Sequence, residues 1–317
     1  MKSHIKLLTV VVLAAFVLSA CAPKTPQAQP TLKIAILPIV DALPLYVAAE
    51  NGYFVDAGVQ VVFIPAASAA DRDQLIAANQ ADGMINDPVA VALFNRDGST
   101  IQVVRISRSA ALDFPMYRIL VPAASAAQSA NDLAGVPIGI SEYSVINYVT
   151  DQLLLQAGLS ANQIATTAVA KIPDRLALLA SGELGAATLP EPFGTLAMAQ
   201  GARVILDDTA NPGLGDSVLS FRTAVITDNP DTIRAFVSAV DRAVVDVNTN
   251  PEAYRSLLTK YNLVPEAFAA TYPIPAFPDP AVLTQAQFGA VNDWLVGKAK
   301  LPAPLDYTQS VNDTFLP

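Results

Sequence analysis

Residues 32–64 read LKIAILPIVDALPLYVAAENGYFVDAGVQVVFI and hold a complete strand–helix–strand passage. Leu32–Ile39 is a nearly unbroken apolar run of strand length, the pattern of a strand covered on both faces. Leu43–Asn51 follows as a helix. Pro44 sits in its first turn, where a missing N–H is harmless, and Gly52 suits its end. Val59–Ile64 is the next strand. The alternation continues with a helix Ala70–Gln80 opened by Ser68, a strand Gly83–Asn86, a helix Pro88–Asn95 and a strand Ile101–Ile106. Short apolar strands alternating with helices predict an α/β fold, a parallel sheet with helices on both faces.

The pattern then restarts. Tyr117–Val121 and Val136–Ser141 read as strands, Ser144–Ala157 as a helix closed by Gly158, and Ile164–Ala170 as a strand. The helix Asp174–Ser181, strand Ala186–Leu189, helix Pro192–Gln200 and strand Arg203–Leu206 complete this half, and Val218–Ile226 reads as a strand returning to the first. The C-terminal quarter is helical. A helix runs from Asn229-Pro230 through Val247, another spans Pro251–Tyr261, and Gln285–Lys298 carries Trp294. Thr271–Pro280 holds Pro273, Pro275, Pro278 and Pro280 and must be extended.

A local repeat links the halves. Asp71-Arg72, Leu75 and Ala77 match Asp174-Arg175, Leu178 and Ala180, and each helix leads to a strand and then an acid-Pro pair, Asp87-Pro88 and Glu191-Pro192. Chance likeness between two Ala-rich helices is the competing explanation. If the repeat is real, two related α/β lobes face each other across a cleft, because open α/β sheets bind ligands beyond the C-terminal ends of their strands.

The chain of 317 residues has room for two such lobes, and 52% hydrophobic with 15% charged residues is far from a disordered composition. A formal charge of −9 argues against general nucleic-acid binding. The longest apolar run, Leu7–Ala20, follows Lys2 and Lys6 and ends in small residues, the build of a secretory signal. Leu18-Ser19-Ala20-Cys21 resembles the lipobox of bacterial lipoproteins, in which the signal is cut before a cysteine that then carries lipid. A plain signal peptide or a short anchor with an incidental cysteine is the alternative. Residues 1–20 are thus expected to be removed. Cys21 and the Pro- and Ala-rich stretch to residue 31 then form a lipidated, flexible tether.

That cut has chemical consequences. It takes the formal charge from −9 to −11 and removes His4, the one histidine, while the one cysteine becomes the lipid attachment point. A histidine base, a Ser-His-Asp triad, a cysteine nucleophile, a disulfide and a His/Cys metal site are all excluded from the folded part. Neither metal nor cofactor is expected.

Four segments resemble the periplasmic solute-binding proteins of ABC importers, in the branch serving sulfonates, nitrate and thiamine precursors. They are Asp41–Val59, with its Pro-Leu-Tyr, Gly-Tyr-Phe and Gly-Val landmarks, Gln80–Gly83, Leu133–Gly139, and Pro190-Glu191-Pro192-Phe193 followed by Gly201-Ala202. The resemblance implies a two-lobed type II periplasmic-binding-protein fold with two crossing segments. Lobe 1 would comprise 32–116 plus 212–317, including the C-terminal helices, and lobe 2 would comprise 117–211. It also implies a monomer, lipid-anchored at the outer face of the cytoplasmic membrane or in the periplasm. Such a protein captures a small solute and delivers it to a membrane permease.

Five loops at strand ends frame the expected site: 40–46, 66–70, 86–88, 141–148 and 190–193. Ser68 and Ser144 stand at helix starts, where backbone N–H groups are free to hold an oxygen, although simple capping explains a serine there equally well. Asp87 and Glu191 are candidate acceptors at the cleft floor, and Asp41, Asn86, Ser141 and Asn147 complete the polar set. Tyr46, with Tyr143 and Tyr148, could stack on a flat ligand, core packing being the alternative. None of these loops contains Lys or Arg, which points to a neutral or cationic heterocycle over a sulfonate or nitrate. Gly213 and Gly215 suit a mobile crossing. Two other readings compete: a secreted enzyme using Asp87 and Glu191 as an acid/base pair, and a tethered interaction protein with no small ligand.

Overall fold

The computed structural model describes residues 29–317, so the signal segment and Cys21 lie outside the described residues. Ten strands run in chain order: β1 (Thr31–Ile36), β2 (Gln60–Pro65), β3 (Gly83–Asn86), β4 (Ile101–Arg108), β5 (Tyr117–Val121), β6 (Pro137–Ile140), β7 (Ala165–Ala168), β8 (Ala186–Pro190), β9 (Arg203–Asp207) and β10 (Ser217–Arg222). The helices of seven residues or more are α1 (Leu43–Glu50), α2 (Ala69–Ala77), α3 (Pro88–Phe94), α4 (Val145–Gln156), α5 (Ile172–Ser181), α6 (Phe193–Ala199), α7 (Pro230–Thr249) and α8 (Gln285–Gly297).

The strands form two sheets of one plan, β2-β1-β3-β10-β4 and β7-β6-β8-β5-β9. In each, three strands pair in parallel, β1 with β2 and β3, β6 with β7 and β8. The expected all-parallel sheet is corrected at the fourth strand. β10 runs antiparallel to β3 and β4, and β5 runs antiparallel to β8 and β9. Connectivity is the cause. A chain crossing directly from one sheet enters the other from the side where the parallel strands end, so it must run against them. The repeat falls on matching places: β2–α2–β3 leads to Asp87-Pro88, and β7–α5–β8 leads to Glu191-Pro192.

Val218–Ile226 also needs correction, because the strand stops at Arg222 and residues 223–228 are helical. The ladder runs out there, with Phe221 opposite Gly83 and Arg222 opposite Ile101, the first residues of β3 and β4. A β-branched sequence with no partner strand does not remain extended.

Alternation along β1 assigns the faces, with Ile34 and Ile36 in one core and Ala35 in another. α1 and α7 cover the first face, where Phe236 stacks on Phe54 and meets Phe221 edge-on. The second core runs from Val103 and Met84 of the first sheet to Ile119 and Ile138 of the second. α8 packs against α3 and reaches α4 as well: Trp294 meets Tyr148 edge-on at 5.4 Å and donates to Asp151 at 2.9 Å. The crossing glycines have different roles. Gly213 has φ +85°, whereas Gly215 has no room for a side chain: a Cβ there would lie 2.7 Å from Tyr117 and 2.8 Å from Val149. Close packing, rather than backbone freedom, requires Gly215.

Candidate functional site

The ends of β1, β3, β6 and β8 and the starts of β5 and β10 converge on a cleft with about 670 Å³ of unfilled space, continuous with solvent. Leu37, Ile39, Ile85, Met116, Val145 and Ile146 supply much of its apolar wall. Asp41, Asn86, Asp87, Ser141, Ser144 and Glu191, from loops of both sheets, all line it. Ser68, Tyr46 and Asn147 do not.

Helix starts explain several placements. Asp87 Oδ1 caps α3 by accepting from the Ala90 N–H at 2.9 Å. Ser144 Oγ accepts from the Ile146 N–H at 3.2 Å and donates to the Ser141 carbonyl at 2.7 Å, closing the turn before α4. Ser68 caps α2, accepting from the Asp71 N–H at 3.1 Å, and stays out of the cleft, which Ala69 and Arg72 of that helix line. Asn147 is tied within α4 to Asp151 at 3.3 Å and to the Tyr143 N–H at 3.3 Å. Tyr46 stacks on Tyr261 with centroids 3.7 Å apart, beside a separate shallow groove, and burial pushes its phenol up to about 12. Tyr148 packs on Trp294, and Tyr143 lies under Lys300 at 3.6 Å. None of the three tyrosines lines the cleft.

The expectation of acids without cations does not survive. Arg72 and Arg108 line the cleft, yet neither belongs to the five loops, since one comes from α2 and the other from the last residue of β4. Arg108 Nη1 donates to Asp41 Oδ1 at 2.8 Å, and Ser217 Oγ donates to Asp41 Oδ2. Arg72 faces Asp73 at 2.8 Å and Asp87 at 3.6 Å. Arg118 pairs with Glu191, whose other oxygen accepts from Tyr272 Oη at 3.1 Å. Burial pushes the Asp73 carboxyl up, and pushes the Arg118 guanidinium and the Tyr272 phenol away from their charged and ionised forms. Each acid of the cleft floor is therefore already matched by an arginine. The one clue to these cations was the repeated Asp-Arg pair at residues 71 and 174, which marks the first turn of a helix facing the cleft. Arg108 had no local signal.

Some buried polar groups of the cleft have spare hydrogen-bonding capacity, Arg108 Nε among them. Asn86 Oδ1 accepts from Ser220 Oγ at 2.8 Å, and its buried Nδ2 has no partner. Among the described residues no cluster of three or more His, Cys, Asp or Glu could hold a metal ion.

The riboflavin-binding protein RibY of Chloroflexus aurantiacus is 26% identical over 294 residues, covering 83% of this chain and 79% of that protein. The alkanesulfonate-binding protein SsuA of Xanthomonas axonopodis pv. citri, bound to MOPS, superposes with a TM-score of 0.74 at 17% identity, covering 92% of this chain and all of that one. The desulfurization enzyme DSZB superposes with a TM-score of 0.66 at 17% identity, over 90% of this chain and 97% of that one. At such identities the structures establish the fold, which is the two-sheet periplasmic-binding-protein type. The NMT1/THI5-like family model matches residues 40–254, more than half of the sequence, and the chain belongs to that family.

Proposed function

We propose that this protein is the solute-binding component of an ABC importer, tethered by lipid on Cys21 outside the cytoplasmic membrane. In this reading it acts as a monomer with lobes 32–116 plus 212–317 and 117–211. It takes a small solute into the cleft, closes by bending at the two crossings and presents the solute to a membrane permease. The observation that carries this reading is the cleft itself. Its two walls come from different sheets, its floor charges are paired in advance, and its lining is apolar with a few directed polar groups, as small-molecule sites are. The names of a riboflavin-binding relative and an alkanesulfonate-binding structural neighbour support the same class of role. Among the described residues no helix is long and apolar enough to cross a membrane.

The solute in this reading bears a ring system. Leu37, Ile39 and Met116 favour an apolar face, and the unpartnered Asn86 N–H favours an acceptor on its edge. The enzyme reading has less support. Residues 29–317 contain neither histidine nor cysteine, and Asp87 and Glu191 cannot turn to a substrate without breaking their arginine pairs. Mass spectrometry of the purified protein under native and then denaturing conditions tests the proposal. A released small molecule of defined mass is expected. Failure to retain or bind any member of a panel of flavins, pyrimidines and sulfonates would overturn it.

A further inference from the structure

Helix α8 is fixed to the first sheet on both of its flanks. Before it, the Ala281 carbonyl accepts from the Ile106 N–H of β4 at 2.7 Å. Beyond it, Val311 bridges to Val103 of the same strand, and the Ser310 carbonyl accepts from the Val103 N–H at 2.9 Å. The buried residues Phe288, Val291 and Leu295 belong to the second core. Gln287, in the first turn, donates from Nε2 to the Gly213 carbonyl at 3.2 Å and to Asp216 Oδ2 at 3.0 Å, so the helix also grips the second crossing.

The far end of α8 reaches the second sheet's helix α4 through polar groups. Trp294 Nε1 donates to Asp151 Oδ2 at 2.9 Å, and Lys298 Nζ pairs with the same oxygen at 2.8 Å. Lys300, just past the helix, lies over the Tyr143 ring at 3.6 Å. Asp151 is buried, whereas the Lys298 side chain is 41% exposed, so water stands ready at the edge of this contact. A permanent seam would be apolar. A carboxylate, two ammonium groups, a phenol ring and an indole N–H can all be hydrated once the helices part, so the contact is one that can open.

The receiving residues lead to the cleft. Tyr143, Asn147 and Asp151 are spaced by four and form one row along α4 and the turn before it. Asp151 Oδ1 accepts from Asn147 Nδ2 at 3.3 Å, and Asn147 Oδ1 accepts from the Tyr143 N–H at 3.3 Å. Tyr143 has φ +51°, a left-handed conformation that a bulky residue rarely adopts and keeps only where its surroundings impose it. Asn147 and Lys300 impose it here. Ser141 and Ser144, on either side of Tyr143, line the cleft, as do Val145 and Ile146. The grip of α8 therefore sets the position and the shape of one cleft wall.

Resting on the two-lobe reading above, we propose that α8 is a latch between the two sheets, with Asp151 as its catch. Trp294, Lys298 and Lys300 hold α4 in the position seen here, and the cleft opens when they let go. Asp151 and the two lysines are positioning residues, acting on the cleft wall through Asn147 and Tyr143. On release Tyr143 leaves the left-handed region, and the Ser141–Ser144 turn moves with α4. The angle between the sheets is thus set by side chains that water can displace, as well as by the two crossings.

Trp294 is the one tryptophan of the chain, so its fluorescence reports the latch directly. Acrylamide quenching and hydrogen exchange of the purified full chain, with no solute added, test the proposal. The wild type is compared with the double variant Lys298→Met, Lys300→Met, with Asp151→Asn, and with Lys260→Met, which removes an exposed ion pair to Glu50 of α1. Quenching of Trp294 is expected to rise severalfold in both latch variants and to keep its wild-type value in Lys260→Met. Exchange is expected to quicken about fivefold or more at residues 141–151 and, away from the substitutions, at the crossings 113–118 and 208–217. Neither lysine is buried, so the double variant decides the question even if Asp151→Asn fails to fold. Unchanged quenching in the double variant, or faster exchange confined to 141–151, would overturn the latch and leave α8 a static brace. Neither readout uses a solute. A protein that opens in this way yet retains no small molecule would keep the latch and remove the receptor reading, and one that retains a solute while its crossings exchange at the wild-type rate in both variants would do the reverse.

Discussion

Tyr272 Oη donates a 3.1 Å hydrogen bond to Glu191 Oε2, so the extended C-terminal segment is fastened to the end of β8 at the cleft floor. The tyrosine ring belongs to the core of the first sheet, edge-on to Phe114, while Glu191 directly follows β8 of the second sheet. The bond thus ties the two sheets together beside the cleft. Tyr272→Phe keeps the ring and removes the tie. It is expected to lower stability by about 1 kcal/mol, or roughly 2–4 °C in a thermal melt. An unchanged melt would show that water replaces the hydroxyl without loss.

Asp41 is placed differently from a free ligand group, although it lines the cleft. One oxygen takes the Arg108 guanidinium and the other takes the Ser217 hydroxyl, while its carbonyl accepts from Ser107 Oγ at 3.0 Å. Asp41→Asn leaves Arg108 buried beside a neutral partner. A loss of about 3–5 kcal/mol in denaturant unfolding is expected. A loss below about 1 kcal/mol would mean that the Pro115 carbonyl, 2.9 Å from Arg108 Nη2, suffices to hold the charge.

These two cases mark what can be read from sequence alone. The β–α alternation from Leu32 to Leu206 is local, so hydrophobic runs and helix caps reveal it without knowledge of partners. Asp87 and Ser144 stand out because acid-Pro and serine at helix starts have their own signature. The antiparallel places of β5 and β10 have none, because they follow from where the chain crosses between sheets. Arg108 is invisible for the same reason: it is an ordinary strand residue until the fold brings Asp41 to it. Reading loops for charge therefore gave an acidic cleft, whereas the folded cleft is nearly balanced by arginines from a helix and from strands.

Asp208 lies at the second crossing, buried, with Oδ1 accepting from the Met116 and Tyr117 N–H groups at 2.9 and 3.1 Å. Burial outweighs these bonds and pushes its carboxyl up to about 6, from an ordinary 3.8. A raised acid binds its proton more tightly in the folded state. Its contribution to stability is therefore fully present below about pH 4 and is lost as pH rises through about 6. Asp208→Asn keeps an oxygen for both N–H groups and removes the charge. It is expected to raise stability at pH 7.5 by about 1–3 kcal/mol relative to the wild type, and to change little at pH 4. Urea unfolding at the two pH values checks this; a gain of equal size at both would assign the effect to packing.

Ser68 and Ser144 separate capping from ligand contact, because the two share a local role and differ in position. Both accept a backbone N–H at a helix start, at 3.1 Å and 3.2 Å. Only Ser144 lines the cleft, where Ser141 and the start of α4 meet. Replacing either by alanine removes one cap, so each variant is expected to lose about 1 kcal/mol of stability. Solute affinity should divide them. Ser144→Ala is expected to weaken binding of the retained solute by about fivefold to tenfold, the worth of one hydrogen bond, and Ser68→Ala to leave it within about twofold. Melting and calorimetric titration of both variants measure the two effects independently. Equal affinity losses would mean that α2 and α4 act only by holding the cleft walls in place, and that no ligand oxygen sits at the Ser144 turn.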